Sequence, residues 1–281
     1  MKINKIKSYA KINLALNITG KKKLLHKIES IISFIDLHDI ILINEIKKSK
    51  HQISFHGKFS KNIKKKNTVK KLFLKLDEKN LLQGKKFKVM IKKNIPQKAG
   101  LGGGSMNAAN VFNYLIKKKF VKLNQEKIKN ICNTIGSDVI LGVDPSSCIL
   151  SSNNKIKKFY RCPKYFPLLV KPNFGCSTKK IYSNVKKFTK SKLSFPKKNM
   201  FYSNYLINQR NALQEIAFKK YPKLKKIESF LVETNNPIFV RMTGSGSTII
   251  AYYNSLKNCK LAKDKFRRKN KNYWCITSKT I

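Results

Sequence analysis

Four of the twelve glycines in this chain fall within five residues, Gly100-Leu101-Gly102-Gly103-Gly104, and Ser105 follows them. Lysine, isoleucine and asparagine dominate elsewhere. A glycine cluster carries a large backbone entropy cost, so its survival here needs a reason. It joins a predicted strand, FKVMIKKNIP (87–96), to a helix predicted over 107–120 from its apolar stripe. Glycines at a strand-to-helix junction aim unpaired backbone N–H groups and the positive helix end at an anion. The chemistry implied is the cradling of a phosphate, from Pro96 through Gly100–Gly104, with Ser105 offering a hydroxyl to phosphate or Mg²⁺ and Met106 next in line. The stretch is no Walker A loop, which requires Gly-Lys-Ser/Thr at its end. Its spacing also fails the dinucleotide fingerprint, and no acidic residue follows at the required distance.

Three further positions carry reactive groups. Residues 9–19, YAKINLALNIT, alternate between Ala10, Ile12, Leu14, Leu16 and Ile18 on one side and Tyr9, Lys11, Asn13, Ala15, Asn17 and Thr19 on the other. That pattern predicts a strand with one buried face and sets Lys11 beside Asn13 on the opposite one. Asp138 is one of only six aspartates and follows a helix predicted over 125–135 with Asn124 as its cap. On identity alone Lys11 is one surface charge among 57 lysines, and Asp138 a turn residue at a helix end. The pair Gly244 and Gly246 joins two predicted strands, PIFVRM and STIIAYY, as a hairpin turn or as a second lining of a site.

The elements that must position these groups follow from periodicity. A strand-rich stretch covers 28–46, a hairpin with exposed loops is expected in 50–67, and 68–82 has helical spacing with Thr68 as its N-cap. The polar stretch near 155 marks a domain boundary, giving domains 1–155 and 156–281. The second half reads strand, lysine-rich helices, two strands, a basic amphipathic helix (257–268) and a last strand, NYWCITS, the order of a ferredoxin-like half.

Composition bounds the function. The formal net charge is +49, built from 57 lysines and only five arginines. Base readout and bidentate phosphate clamping favour arginine. The excess therefore reads as compositional drift on a solvated surface rather than a nucleic-acid site, although it still attracts anionic substrates. Six cysteines form no CxxC pair, four histidines show no metal spacing, and no apolar run reaches 18 residues. A reduced, cytoplasmic protein without a membrane span is expected.

The stretch PQKAGLGGGSMNAA resembles the central phosphate motif of the GHMP kinases. AKINLALNITGKKKLLHKIESIISFIDLHD (10–39), IGSDVILG (135–142) and MTGSGSTIIAYY (242–253) resemble three other segments of that superfamily, in its order. The resemblance implies an α+β, two-domain GHMP kinase fold. Its N-terminal, ATP-binding domain would be like domain 2 of ribosomal protein S5 with a left-handed β-α-β unit, its C-terminal domain ferredoxin-like, and the active site between them. It implies ATP and Mg²⁺ as cofactors, Asp138 as the base for an alcohol proton and Lys11 as its partner. Among the members, the N-terminal segment is most similar to one acting on a cytidine diphosphate-linked methylerythritol. That implies substrate contacts by Asn13, His26 and Thr178, with Tyr182 stacking on cytosine. Three departures stand out: Leu24-Leu25-His26 replaces a usual Gly-Tyr-His, Met106 replaces a second serine, and Ile140 replaces a proline. A homoserine- or mevalonate-type kinase, and a basic RNA-binding protein on a related fold, remain the alternatives. Monomer and homodimer are both open.

Overall fold

The computed structural model describes residues 3–22 and 25–281. The chain opens with two long strands, β1 (Asn4–Lys22) and β2 (Leu25–Ile46), which pair with each other. Residues 10–18 of β1 are buried without a break, so the strand lacks the open face that its alternation predicts. Lys11, Asn13 and Asn17 lie inside the protein. The alternation separates an apolar environment from a polar one, and both are out of solvent.

Residues 50–67 do not fold back on themselves as a hairpin. Strand β3 (Gln52–His56) instead pairs in parallel with β4 (Lys86–Lys92), and helix α1 (Thr68–Glu78) carries the crossover. Parallel neighbours need such a connection, because a tight turn can only join antiparallel strands. The cap of α1 is Asn67, whose carboxamide accepts from Lys70 N at 3.0 Å. Thr68, expected to fill that role, donates its hydroxyl to Gly104 O at 2.6 Å. Helix α2 (Gly103–Lys117) starts four residues before its apolar stripe, since glycines add turns to a helix without adding side chains to a periodicity. Helix α3 (Gln125–Ile135) is capped by Asn124 as expected and gives way at Gly136 to a short 3-10 turn, Ile140–Gly142.

Strands β5 (Ser147–Leu150) and β6 (Ile156–Phe159) form a hairpin that the sequence did not announce, because four-residue strands are too short to show alternation. Strand β7 (Phe166–Lys171) then leads through α4 (Thr178–Tyr182), α5 (Ser203–Leu206), α6 (Gln214–Lys220) and α7 (Pro222–Val232) to β8 (Phe239–Met242) and β9 (Ile249–Tyr253). Helix α8 (Leu256–Lys269) and β10 (Trp274–Thr277) complete the chain. The antiparallel sheet runs β10-β7-β9-β8, and α7 and α8 pack against it. Numbered within the sheet this is the order 4-1-3-2, the ferredoxin-like arrangement that the sequence predicts.

Contacts divide the chain into two compact units. The first comprises residues 1–10, 37–97 and 102–145; the second comprises 11–36, 98–101 and 146–281. In the first, one face of each of α1, α2 and α3 is buried with Ile41, Ile43, Val89 and Ile91 of β2 and β4. In the second, Leu16 and Ile18 of β1 join the core of the ferredoxin-like sheet with Leu168, Val170, Ile249 and Phe266. Full burial of one such side chain stabilises by about 1.5–3 kcal/mol. No described helix is long and apolar enough to cross a membrane.

Candidate active site

In the first unit the chemistry gathers around the N-terminus of α2. Gly102 takes the cap position in the left-handed region (φ 68°), and no side chain caps the helix. The first intrahelical bond runs from Met106 N to Gly102 O at 2.9 Å, so the amides of Gly103, Gly104 and Ser105 precede the ladder and face outward from it. Ser105 lies beside the aspartate segment: a Cβ built on Gly136 would stand 3.9 Å from Ser105 Oγ. Asp138 follows two residues later and is half-buried, at the foot of the 3-10 turn. Met106 points the other way. Its sulfur would lie 2.9 Å from a Cβ on Gly142, so its side chain packs α2 onto the 3-10 turn and offers a ligand nothing but backbone. Pro96 is buried at the entry to the loop.

The second unit holds Gly100 and Leu101 together with the C-terminal glycine turn. Gly100 (φ +76°) packs so closely that a Cβ there would sit 2.0 Å from Thr243 O. Lys11 N donates to Leu101 O at 3.1 Å, and Asn13 N donates to the Thr243 hydroxyl at 2.9 Å. Lys11 Nζ donates to Asn13 Oδ1 at 2.6 Å, while Asn13 Nδ2 donates to Ser30 Oγ at 2.7 Å. Lys11 is only 5% exposed, which removes it from the ordinary surface lysines. Thr178 heads α4, with its hydroxyl 2.9 Å from Ser245 Oγ of the glycine turn. His26 and Tyr182 meet with ring centroids 5.3 Å apart, and Phe188 lies 6.4 Å from the same imidazole. Desolvation, and then the charge of Lys21, hold the His26 pKa below the usual imidazole value. Leu25 is 77% exposed, and Leu24 lies outside the described residues.

Four of the sequence-predicted residues therefore come together in the second unit as Lys11–Asn13 and Gly100–Leu101, and His26–Tyr182 forms a separate pair. Residues 67–152 match the GHMP kinases N terminal domain, and residues 196–272 match the GHMP kinases C terminal domain. The 4-diphosphocytidyl-2-C-methyl-D-erythritol kinase of Pelagibacter ubique is 57% identical over 277 residues, covering 99% of each chain. The chain belongs to the GHMP kinases, within the 4-diphosphocytidyl-2-C-methyl-D-erythritol kinase family. The enzyme of that name from Clostridium botulinum is 31% identical, over 94% of this chain and 96% of its own. A crystal structure of 4-(cytidine 5'-diphospho)-2C-methyl-D-erythritol kinase superposes with a TM-score of 0.78 over 98% of this chain and 99% of the other, at 20% identity. Homoserine kinase from Cytophaga hutchinsonii shares the fold, with a TM-score of 0.73 at 13% identity over 100% and 95% of the two chains.

As a GHMP kinase the chain contains functional scaffolding that motif reading passed over. Thr243 bridges two site segments, accepting from Asn13 N and donating to Gly100 O at 3.4 Å. Asn211 holds the C-terminal glycine turn by donating to Met242 O at 2.7 Å and Gly244 O at 2.8 Å. The buried Arg241 donates to the carbonyls of Leu14, Leu206 and Gln209, tying β1 to β8. One signal was available for Arg241: it is one of only five arginines among 62 basic residues. Four of the thiols are poorly suited to act as nucleophiles. Burial pushes Cys132 and Cys176 up to about 11 and Cys259 and Cys275 up to about 12, far from thiolate at neutral pH. Among the described residues, no group of three or more His, Cys, Asp or Glu side chains is placed to hold a metal ion.

Proposed function

We propose that this kinase transfers a phosphoryl group from ATP to the 2-hydroxyl of 4-diphosphocytidyl-2-C-methyl-D-erythritol, a step of the non-mevalonate route to isoprenoid precursors, and that it does so in the cytoplasm. The observation that carries the reading is the 57% identity over 99% of the chain to a kinase with that name. The uncapped α2 N-terminus supports it, because unpaired amides and the positive end of a helix suit the phosphates of a nucleotide. The nucleotide belongs to the N-terminal domain, residues 1–155, and the C-terminal domain, 156–281, supplies Thr178 and Tyr182. ATP would supply the phosphoryl group, and Mg²⁺, with the Ser105 hydroxyl as its candidate protein ligand, would neutralise phosphate charge.

The chain's own residues do the rest. The amides of Gly103, Gly104 and Ser105, with the Ser105 hydroxyl, hold phosphate oxygens in place, which is most of what phosphoryl transfer requires of a protein. Asp138 accepts the proton of the attacking hydroxyl. Lys11, fixed by Asn13, lowers the pKa of that hydroxyl. His26, neutral at pH 7 because its pKa is depressed, can both donate to and accept from a pyrimidine edge. Tyr182 stands 5.3 Å from it and offers a ring face to the same base. Leu25 lends a weaker apolar contact where relatives use an aromatic.

A coupled assay of ADP release, run with the cytidyl substrate beside mevalonate and homoserine, tests the proposal. Turnover with the cytidyl compound is expected, and turnover with either alternative in its place would overturn the substrate assignment.

A further inference from the structure

Beneath the phosphate loop lies a charge cluster centred on a buried carboxylate. The Asp39 carboxylate, at the end of the IDLHD segment of β2, is 0% exposed. One of its oxygens accepts from the backbone N–H groups of Asn94 and Ile95, both at 2.8 Å. The other accepts from Asn107 Nδ2 at 2.9 Å and from the ammonium of Lys93. Lys93 is itself buried, and its backbone is pinned where β4 ends by donating to His56 O at 2.7 Å. Asn107 sits one turn into α2. Directly above the pair is Gly103, where a Cβ would lie 3.3 Å from Lys93 Nζ and 2.9 Å from Ile95 Cγ2.

One carboxylate therefore grips both ends of the glycine loop. Asn94 and Ile95 form its entry, Asn107 its exit, and Lys93 fills the space below its first helical residue. We infer that Asp39 and Lys93 form a positioning pair for the phosphate loop, setting the affinity for the nucleotide's phosphates rather than for the alcohol substrate. This rests on the kinase reading above. The chemistry favours it on three counts. A buried carboxylate beside a site for a polyanion would repel the ligand unless fully compensated, and four donors compensate this one. Hydrogen bonds to an ionised acceptor are the strong kind, suited to holding a loop of flexible glycines still. The close approach of Lys93 to Gly103 also leaves no room for the loop to sag inward.

The test uses the full chain and three variants, Asp39→Asn, Asn107→Ala and Lys93→Met with Asp39→Asn, each followed by thermal melting, by calorimetric titration with ADP, and by steady-state kinetics with both substrates varied. Asp39→Asn should raise the ATP KM and the ADP Kd by about tenfold, the loss of one or two charge-assisted bonds, and leave the KM for the cytidyl substrate within twofold. The double variant removes the stranded ammonium, so it should recover most of the melting temperature lost by Asp39→Asn while its nucleotide affinity stays weak. Asn107→Ala releases only the exit of the loop. It also deletes a carbonyl oxygen (Oδ1) that has no partner, so it should fold normally and raise the ATP KM several-fold. An ATP KM that stays at the wild-type value in Asn107→Ala and Asp39→Asn would overturn the inference, as would KM values for both substrates that rise together with falling melting temperature. If unsubstituted protein binds no ADP, the kinase reading itself fails first and takes this inference with it.

Discussion

At the scale of single residues, burial changes what each group can do. Lys11 is chemically one of 57 lysines, yet it is buried on β1 with its ammonium on Asn13, a placement that water-exposed lysines never share. If Lys11 and Asp138 act as proposed, replacing either with alanine should lower kcat by roughly 10²–10⁴-fold, the usual range for a positioned proton acceptor and its partner. Melting curves should accompany both, since Lys11→Ala also strands a buried carboxamide. His26 gives a pH prediction with a definite sign. Its pKa lies below the ordinary imidazole value, so it is neutral at pH 7 and becomes charged as pH falls below that value. Charging removes its acceptor nitrogen, so the KM for the cytidyl substrate should rise on acidification and stay flat above pH 7. His26→Phe should abolish that dependence. Asp138 was singled out by the Ile-Gly-Ser that precedes it and by the family-like segment in which it stands. Lys93 was not, since nothing in composition or periodicity separates it from the other lysines of its stretch; Asp39 closes the family-like segment 10–39, but its role stayed hidden because a strand-end carboxylate shows no partner until the fold supplies four.

At the scale of elements, alternation revealed β1, and helical spacing revealed α1, α3 and α8 to within a few residues. The glycine segments show where that kind of reading stops. A hydrophobic period cannot register residues without side chains, so the true start of α2 at Gly103 was hidden inside the motif. The parallel β3–β4 pairing was equally hidden, because a five-residue strand with exposed alternate positions looks the same in either direction. Two predictions belong here. Gly100→Ala would force a methyl group to within 2.0 Å of Thr243 O at a φ of +76°, so ATP turnover should be lost and the melting temperature should fall, with ADP titration as the measurement. His51 ties α1 to β4: its Nδ1 accepts from Phe87 N at 3.0 Å and its Nε2–H donates to Asp77 at 3.1 Å, while its ring stacks on Phe73 at 4.2 Å. Desolvation dominates and lowers its pKa in the folded state, so the unfolded chain binds the proton more readily. Stability from this site is therefore full above the unfolded value near 6.5 and declines as pH falls through it. His51→Gln should melt lower than the wild type at pH 8, with the gap narrowing below pH 6.

At the scale of the whole molecule, the net charge of +49 acts on rates more than on fold. Both proposed substrates are anionic, so kcat/KM should fall steeply as salt rises past about 0.1 M, where the Debye length shrinks to about 10 Å. The melting temperature should rise over the same range as self-repulsion is screened. A salt-independent kcat/KM would show that the surface lysines do not steer substrate. The two-layer character of the second half was readable from element order alone, because strand–helix–strand–strand–helix–strand admits few antiparallel solutions. The composition of the two units was not, since each is assembled from three separate stretches of chain. That patchwork bears on synthesis. As the nascent polypeptide leaves the ribosome, residues 11–36 emerge early, but most of their unit follows only after residue 146. The apolar side of the first strand, Leu16 and Ile18 included, must therefore wait through well over a hundred further residues for the sheet that shelters it. Translation speed and chaperone access during that interval are where a slow or sticky production of this enzyme would originate.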